Sequence, residues 1–580
     1  MRSSHLRSVC AVIGAFACAL SLAGCTKPAW LPSIPTAPSS TTTTAPSPTA
    51  TTVARATSTT ASPTTPPVDI RQTTPAVTVM RSIRGVPMQI DVFPILSDGT
   101  YAMLQVEITA TGPIPATNLG TKYMGLMAIL SESASYYPHA VRLVDLEAKT
   151  VYQLLRAPGD GKRLAYAAVG LDDKGQSKLP DYLLYEGKPV RLLMAFAAPV
   201  SASVDVSIPC FGLVTGVPVE KGMSLDAELS AMESLASASW VGDLRPASPE
   251  GYAIPLRTYQ TPYDDTTVVR QENQTVTITL DSAVLFATDK YDVSSPAAQA
   301  ALASAANQIK AAATGGVVHV IGHTDDQGSV EHGYVLSQQR AEAVAAALGP
   351  LLGPAYTYTT EGKGYDAPLV PGTSAEARAA NRRVELQFAG NVATTVTEKR
   401  PLPSTDAPTA SGLGTWVQFP GKVGAKDEML QFRVDQAVRT GQGIVVRGEL
   451  GFVHYNSVIV FEMEANHGSP AGRSGLSGWG WGTNDLAILT PGGRLFPFDF
   501  VRPDYVAANL GVDSPDKPAS ALADNMFGIN RIFKDGDPAI NLTTIYPDTG
   551  QDTITVELGG RFRITDIPVT NDASQLNAPW

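Results

Sequence analysis

Between residues 272 and 390 the apolar residues change period repeatedly, from two to nearly four and back, and few folds accommodate that. Val276–Leu280 and Ala283–Phe286 read as short strands. Pro296–Ala313 is Ala-rich, with Leu302, Ala305, Ile309 and Ala312 at helical spacing. Val317–Ile321, broken only by His319 and bounded by Gly315-Gly316 and Gly322, predicts a largely buried strand. Ser337–Leu348 is helical again, with Ala341, Val344, Ala345 and Leu348 on one face. Tyr356–Thr360 is a strand, Ala375–Asn381 a short helix, and Arg383–Phe388 alternates to close the sheet. The order β-β-α-β-α-β-α-β predicts an α+β domain with helices on one face of a mixed sheet.

The flanks read differently. At 580 residues the chain is too long for one core. In 68–220, Tyr101–Ile108 alternates, Val141–Leu146 and Val151–Leu155 flank a polar turn, and Val190–Phe196 follows another. In 413–580, Gly443–Phe452, Val458–Glu464, Leu486–Leu489, Arg494–Phe498, Thr553–Leu558 and Phe562–Ile564 are strand candidates. Both regions are expected to be all-β and sandwich-like. Tyr185 before one late strand and Tyr546 before another hint at a weak repeat. Residues 221–271 form a connecting segment, with a helix in Leu225–Ala238 and extended chain in Tyr252–Tyr263; 391–412 is a linker.

The N-terminus carries an export signal over residues 1–24. Arg2 and Arg7 precede the apolar run Val9–Leu22, which is too short for a comfortable bilayer span. It ends in Leu22-Ala23-Gly24-Cys25, which resembles the bacterial lipobox. That resemblance implies acylation of Cys25, with palmitate among the chains, and a membrane anchor. Residues 25–67 are mostly Thr, Pro, Ser and Ala and bury too little to fold, so they should form a disordered tether. Cys10 and Cys18 would leave with the signal. With Cys25 acylated, Cys210 has no disulfide partner and is expected to be a small buried residue.

Four motifs in the middle segment, taken in order, resemble the OmpA, Pal and MotB peptidoglycan-binding family. They are Phe286; Ile321-Gly322-His323-Thr324-Asp325 with Gly328; Leu336-Ser337-Gln338-Gln339-Arg340-Ala341; and Gly362-Lys363-Gly364, Pro368 and Asn381-Arg382-Arg383-Val384. The resemblance covers about a fifth of the chain. It implies that Asp325 and Arg340 bind the free end of meso-diaminopimelate in the peptidoglycan stem. A carboxylate accepts from the ammonium, and a guanidinium forks onto the carboxylate. An L-Lys stem lacks that carboxylate. Thr324 would orient the loop or add a hydrogen bond; Asn381 and Arg383 would touch the ligand or hold the loops. The family usually carries Asn where this chain has Gly333, so loop rigidity or affinity is in question.

The other chemistries find little support. A net charge of −11 argues against nucleic acid. His319 and His323 are too far apart along a strand to share an ion, so no metal is expected, and no cofactor motif appears. Gly475-Leu476-Ser477-Gly478 lacks the full nucleophile-elbow spacing. Trp479 and Trp481 would stack on sugars or pack a loop. The expected protein is therefore not an enzyme but a lipid-anchored binder linking membrane and wall. The alternatives are a wall-targeted glycan or peptide hydrolase, or an adhesin or assembly partner whose β-domains engage envelope proteins. Lys-poor, Ala/Thr/Pro/Gly-rich usage points to an actinobacterial host and the outer face of the cytoplasmic membrane. In a diderm, Thr26 after Cys25 would direct the chain to the outer membrane.

Overall fold

The computed structural model describes residues 72–83, 85–114, 140–157, 165–174, 177–178, 184–234, 245–263, 265–370, 372–392, 394, 401–423, 426–453, 485–501, 519–524 and 539–580. Cys25, the tether, Val458–Glu464, Gly475–Gly478, Trp479 and Trp481 lie outside them. Among the described residues no helix is long and apolar enough to cross a membrane.

The middle segment runs β1 (Thr275–Asp281), α1 (Ser282–Leu285), α2 (Pro296–Ala312), β2 (Gly316–Gly322), α3 (Val330–Leu352), β3 (Tyr356–Gly362), α4 (Ala375–Asn381) and β4 (Arg383–Ala389). The strands lie in the order β3-β2-β4-β1. β2 pairs with β3 in parallel and with β4 antiparallel, and β4 pairs antiparallel with β1. The sheet is mixed, as the pattern predicts. Leu302, Ala305 and Ile309 of α2 and Ala341, Val344 and Leu348 of α3 share one core with Ile278, Val318, Val320, Val384 and Leu386.

Three local expectations change. Ala283–Phe286 is not a strand: Asp281 caps a single helical turn, its Oδ1 accepting from Ala283 N at 2.8 Å. That side-chain bond gives the backbone an alternative to the ladder. β2 is less buried than expected, because Val317 and His319 are exposed on the face opposite Val318 and Val320, and that face is covered from Ile321 on. α3 starts at Val330, seven residues before the expected Ser337, where Ser329 caps it by accepting from His332 N. Gly333 is therefore a helical residue, not a loop residue.

The domain's sheet does not stop at β1. Thr267–Glu272 pairs with β1, and Arg257–Thr261 pairs with Thr267–Glu272. Arg257–Thr261 then meets Gly493–Leu495, giving a 13-stranded sheet that runs on into the C-terminal β-region. Tyr252–Tyr263 is extended, as expected, and Asp226–Ser234 is helical. A buried Arg257–Asp499 ion pair at 2.7 Å crosses the junction.

The β-regions at 68–220 and 413–580 contribute to one apolar cluster. Ile90, Leu104, Phe196 and Phe211 from the first meet Phe419, Val434, Ile444 and Ile564 from the second. The C-terminal turn Ala573–Asn577 clasps both: Leu576 O accepts from Arg81 Nη2 and from Arg447 Nη2, each at 2.5 Å. Tyr185 sits half-exposed in a turn, whereas Tyr546 is buried within Ile540–Pro547. The suspected repeat draws no support from that pair. Cys210 is buried, and burial pushes its thiol well above the ordinary range, which removes it as a nucleophile.

Candidate functional site

The loop after β2 and the face of α3 come together because glycine permits close approach. A Cβ on Gly322 would lie 2.1 Å from Ser337 O, and one on Gly362 would lie 2.4 Å from Gln338 N. The backbone of α3 therefore rests directly on the ends of β2 and β3. Gly364 ties the loop to the helix: its carbonyl accepts from Thr324 N at 2.8 Å, and its N–H donates to Ser337 Oγ at 3.0 Å.

Arg340 projects from α3 and is buried, at 5% exposure. Its Nε donates to Lys290 O at 3.0 Å, and its guanidinium lies 4.9 Å from the centre of the Phe286 ring. These two contacts fix the fork and leave the terminal nitrogens without a hydrogen bond among the described residues. Burial lowers the Arg340 pKa, while Asp289 and Asp325 oppose that shift. The group stays charged.

Asp325 sits in the loop past β2. Its Oδ2 accepts from Arg382 Nη1 at 2.6 Å, and its Oδ1 accepts from Gln327 N at 3.2 Å. The next carboxylate, Asp326, is gripped by Arg378 and held below the usual range, chiefly by that hydrogen bond. Thr324 is buried and its hydroxyl has no hydrogen-bond partner among the described residues, and a Cβ on Gly333 would lie 3.1 Å from that oxygen.

Asn381 and Arg383 are turned inward. Asn381 closes the preceding loop, accepting from Val370 N at 2.9 Å and donating to Val370 O at 2.8 Å. Arg383 Nε donates to Glu385 at 2.7 Å, two residues along β4 and so on the same face. Its Nη2 reaches Ala367 O at 3.2 Å. These bonds tie both side chains to the segment at 367–370. Burial raises the Glu385 carboxyl, but Arg383 together with His323 and Arg270 more than offsets this and leaves it below the usual range. Burial, assisted by Arg383, drives His323 down to about 4, so the imidazole beneath the loop is neutral and its 4.0 Å approach to Glu385 is no ion pair.

Sequence reasoning gave no role to Arg382, Phe286 or Lys290, the three residues that set the state of the Asp325 and Arg340 side chains. A signal for the first existed. Arg382 and Arg383 are adjacent at a helix-to-strand junction, where successive side chains take opposite faces. The Lys290 carbonyl carries no side-chain signature.

Residues 285–382 match the OmpA family model, so this chain carries an OmpA-family domain. A 69-residue stretch is 44% identical to "Probable lipoprotein YiaD" of Escherichia coli K12, covering 12% of this chain and 32% of that protein. The match thus spans about a third of the curated relative. Among solved structures, the cell wall anchor of the T6SS from Pseudomonas aeruginosa is 30% identical, covering 22% of this chain and 90% of that one, with a TM-score of 0.20. The peptidoglycan-associated lipoprotein from Burkholderia pseudomallei is 31% identical, covering 18% and 86%, with a TM-score of 0.15.

Proposed function

We propose that this protein is an envelope-associated, non-enzymatic binder that grips peptidoglycan through the diaminopimelate of the stem peptide. The observation that carries the reading is the state of Arg340. It is buried, fixed by Lys290 O and the Phe286 ring, and keeps its terminal nitrogens for an outside carboxylate. A pre-set fork loses little entropy when it binds. Asp325, whose charge favours the protonated Arg340, would accept from the ligand ammonium while sharing its other bonds with Arg382 and Gln327. Thr324 lines the loop beside it. Asn381 and Arg383 serve as positioning residues that keep the loops in place. Acylated Cys25 and the tether would join this site to a membrane, and the β-regions would space it or engage envelope partners.

Sedimentation of the full chain with intact wall sacculi tests the reading. Wild type should pellet with diaminopimelate walls and stay in solution with L-Lys walls. Asp325→Ala and Arg340→Lys should both lose pelleting; the second keeps a charge but lacks the fork. Equal pelleting by the variants, or by wild type on both walls, would overturn the ligand assignment.

A further inference from the structure

The OmpA-family domain leaves an aromatic rim open beside the proposed stem-peptide site. Tyr334 and Tyr365 are 37% and 38% exposed, and Val330, one helical turn before Tyr334 on the same face of α3, is also exposed. Large apolar side chains scattered singly on a surface mean little, but a group of them beside a site marks a contact. The grouping here is built. Gly364 adopts φ +50°, a backbone conformation that favours glycine, and a Cβ there would lie 3.4 Å from Tyr334 N and 3.6 Å from its ring, so the chain passes over Tyr334 immediately before residue 365. The Tyr334 hydroxyl donates to the Asp366 carboxylate, which fixes the ring. Lys363 and Asp366 supply polar groups at the border.

We infer that Tyr334 and Tyr365 form a platform for a sugar ring of the glycan strand, a subsite next to the stem-peptide site. The inference rests on the wall-binding reading. A pyranose presents C–H bonds on its face and hydroxyls at its edge, which suits an aromatic surface flanked by a carboxylate and an ammonium. Covalent continuity selects this occupant. Diaminopimelate is the third residue of its stem, so the muramic acid sugar is tethered to its bound free end by roughly 3.3–3.6 Å per residue plus the extra bonds of the γ-glutamyl link and the diaminopimelate side chain, on the order of 15–20 Å at full extension. Gly364, whose carbonyl accepts from Thr324 next to Asp325, is followed directly by Tyr365.

Two probes separate this subsite from the peptide site: the free tripeptide L-alanyl-γ-D-glutamyl-meso-diaminopimelate, and the same tripeptide carried on its disaccharide. Titration of the full chain should give about tenfold tighter binding of the disaccharide form. Tyr334→Ala and Tyr365→Ala should erase that advantage and leave the free tripeptide unchanged. Tyr334→Phe, which keeps the ring and loses only the Asp366 bond, should retain most of it. Equal binding of the two probes by wild type, or an undiminished advantage in the Tyr334→Ala/Tyr365→Ala double variant, overturns the platform while peptide recognition stands. Failure of wild type to bind either probe overturns both readings.

Discussion

Gly322→Ala adds one methyl group at the tightest point of the site. Its Cβ would stand 2.1 Å from Ser337 O, whereas ordinary contact begins at about 3.4 Å, so α3 must withdraw by about 1.3 Å. The obstacle is backbone, so no side-chain rotation relieves it. Overpacking costs of about 1–3 kcal/mol are usual, and a backbone clash belongs at the upper end. A loss of ~3 kcal/mol corresponds to roughly a hundredfold rise in local opening. Amide exchange should therefore accelerate by about that factor in β2 and α3, and diaminopimelate-wall binding should weaken because Arg340 moves with the helix. Gly349→Ala in the same helix is the control. Its Cβ meets nothing within 4 Å, and helix propensity should make it neutral or stabilising by up to about 1 kcal/mol. Native exchange rates and native wall binding in Gly322→Ala would refute the claim that glycine contact sets the helix position.

Stability should fall as pH drops from about 6.5 to about 4. Over that window the unfolded His323 imidazole takes a proton that the buried folded one does not, at a cost of up to roughly 3 kcal/mol. His323→Phe should flatten this part of the profile in denaturant titrations at stepped pH; an unchanged slope would show that the imidazole is not excluded from protonation. Asn381→Ala removes both bonds to Val370 and leaves two buried backbone groups unpaired, a loss of about 1–3 kcal/mol. It should appear as faster exchange at Val370, with wall affinity falling less than in Asp325→Ala. Truncation after Asp572 removes the carbonyl shared by Arg81 and Arg447 and leaves two buried cations under-satisfied. Thermal scans should show a loss of about 3 kcal/mol or more, and limited proteolysis should open the contact between the β-regions.

Much of the domain at 272–390 was legible because its signals are local. Alternation placed β1 and β4, small apolar residues at helical spacing placed α2 and the body of α3, and four spaced motifs carried the family resemblance. Errors occurred where a single side chain competed with the backbone, as when Asp281 turned a strand-like run into a helical cap. The start of α3 was missed because its first turn is exposed and lacks the apolar stripe, although Ser329 was a readable cap.

By itself the sequence determined the chemical parts: a carboxylate and a guanidinium fifteen positions apart, glycines at the strand ends, and β-rich flanks. Tertiary structure decided what those parts are free to do. It bonded Asn381 to Val370 and Arg383 to Glu385, set Arg382 on Asp325, and held Arg340 against a carbonyl and a ring some fifty residues away. It also joined flanks some two hundred residues apart into one core and ran the domain's sheet into the last β-region. Pairings of this kind depend on which surfaces meet after the chain folds back, and neither periodicity nor spacing encodes the distance between residues remote in sequence.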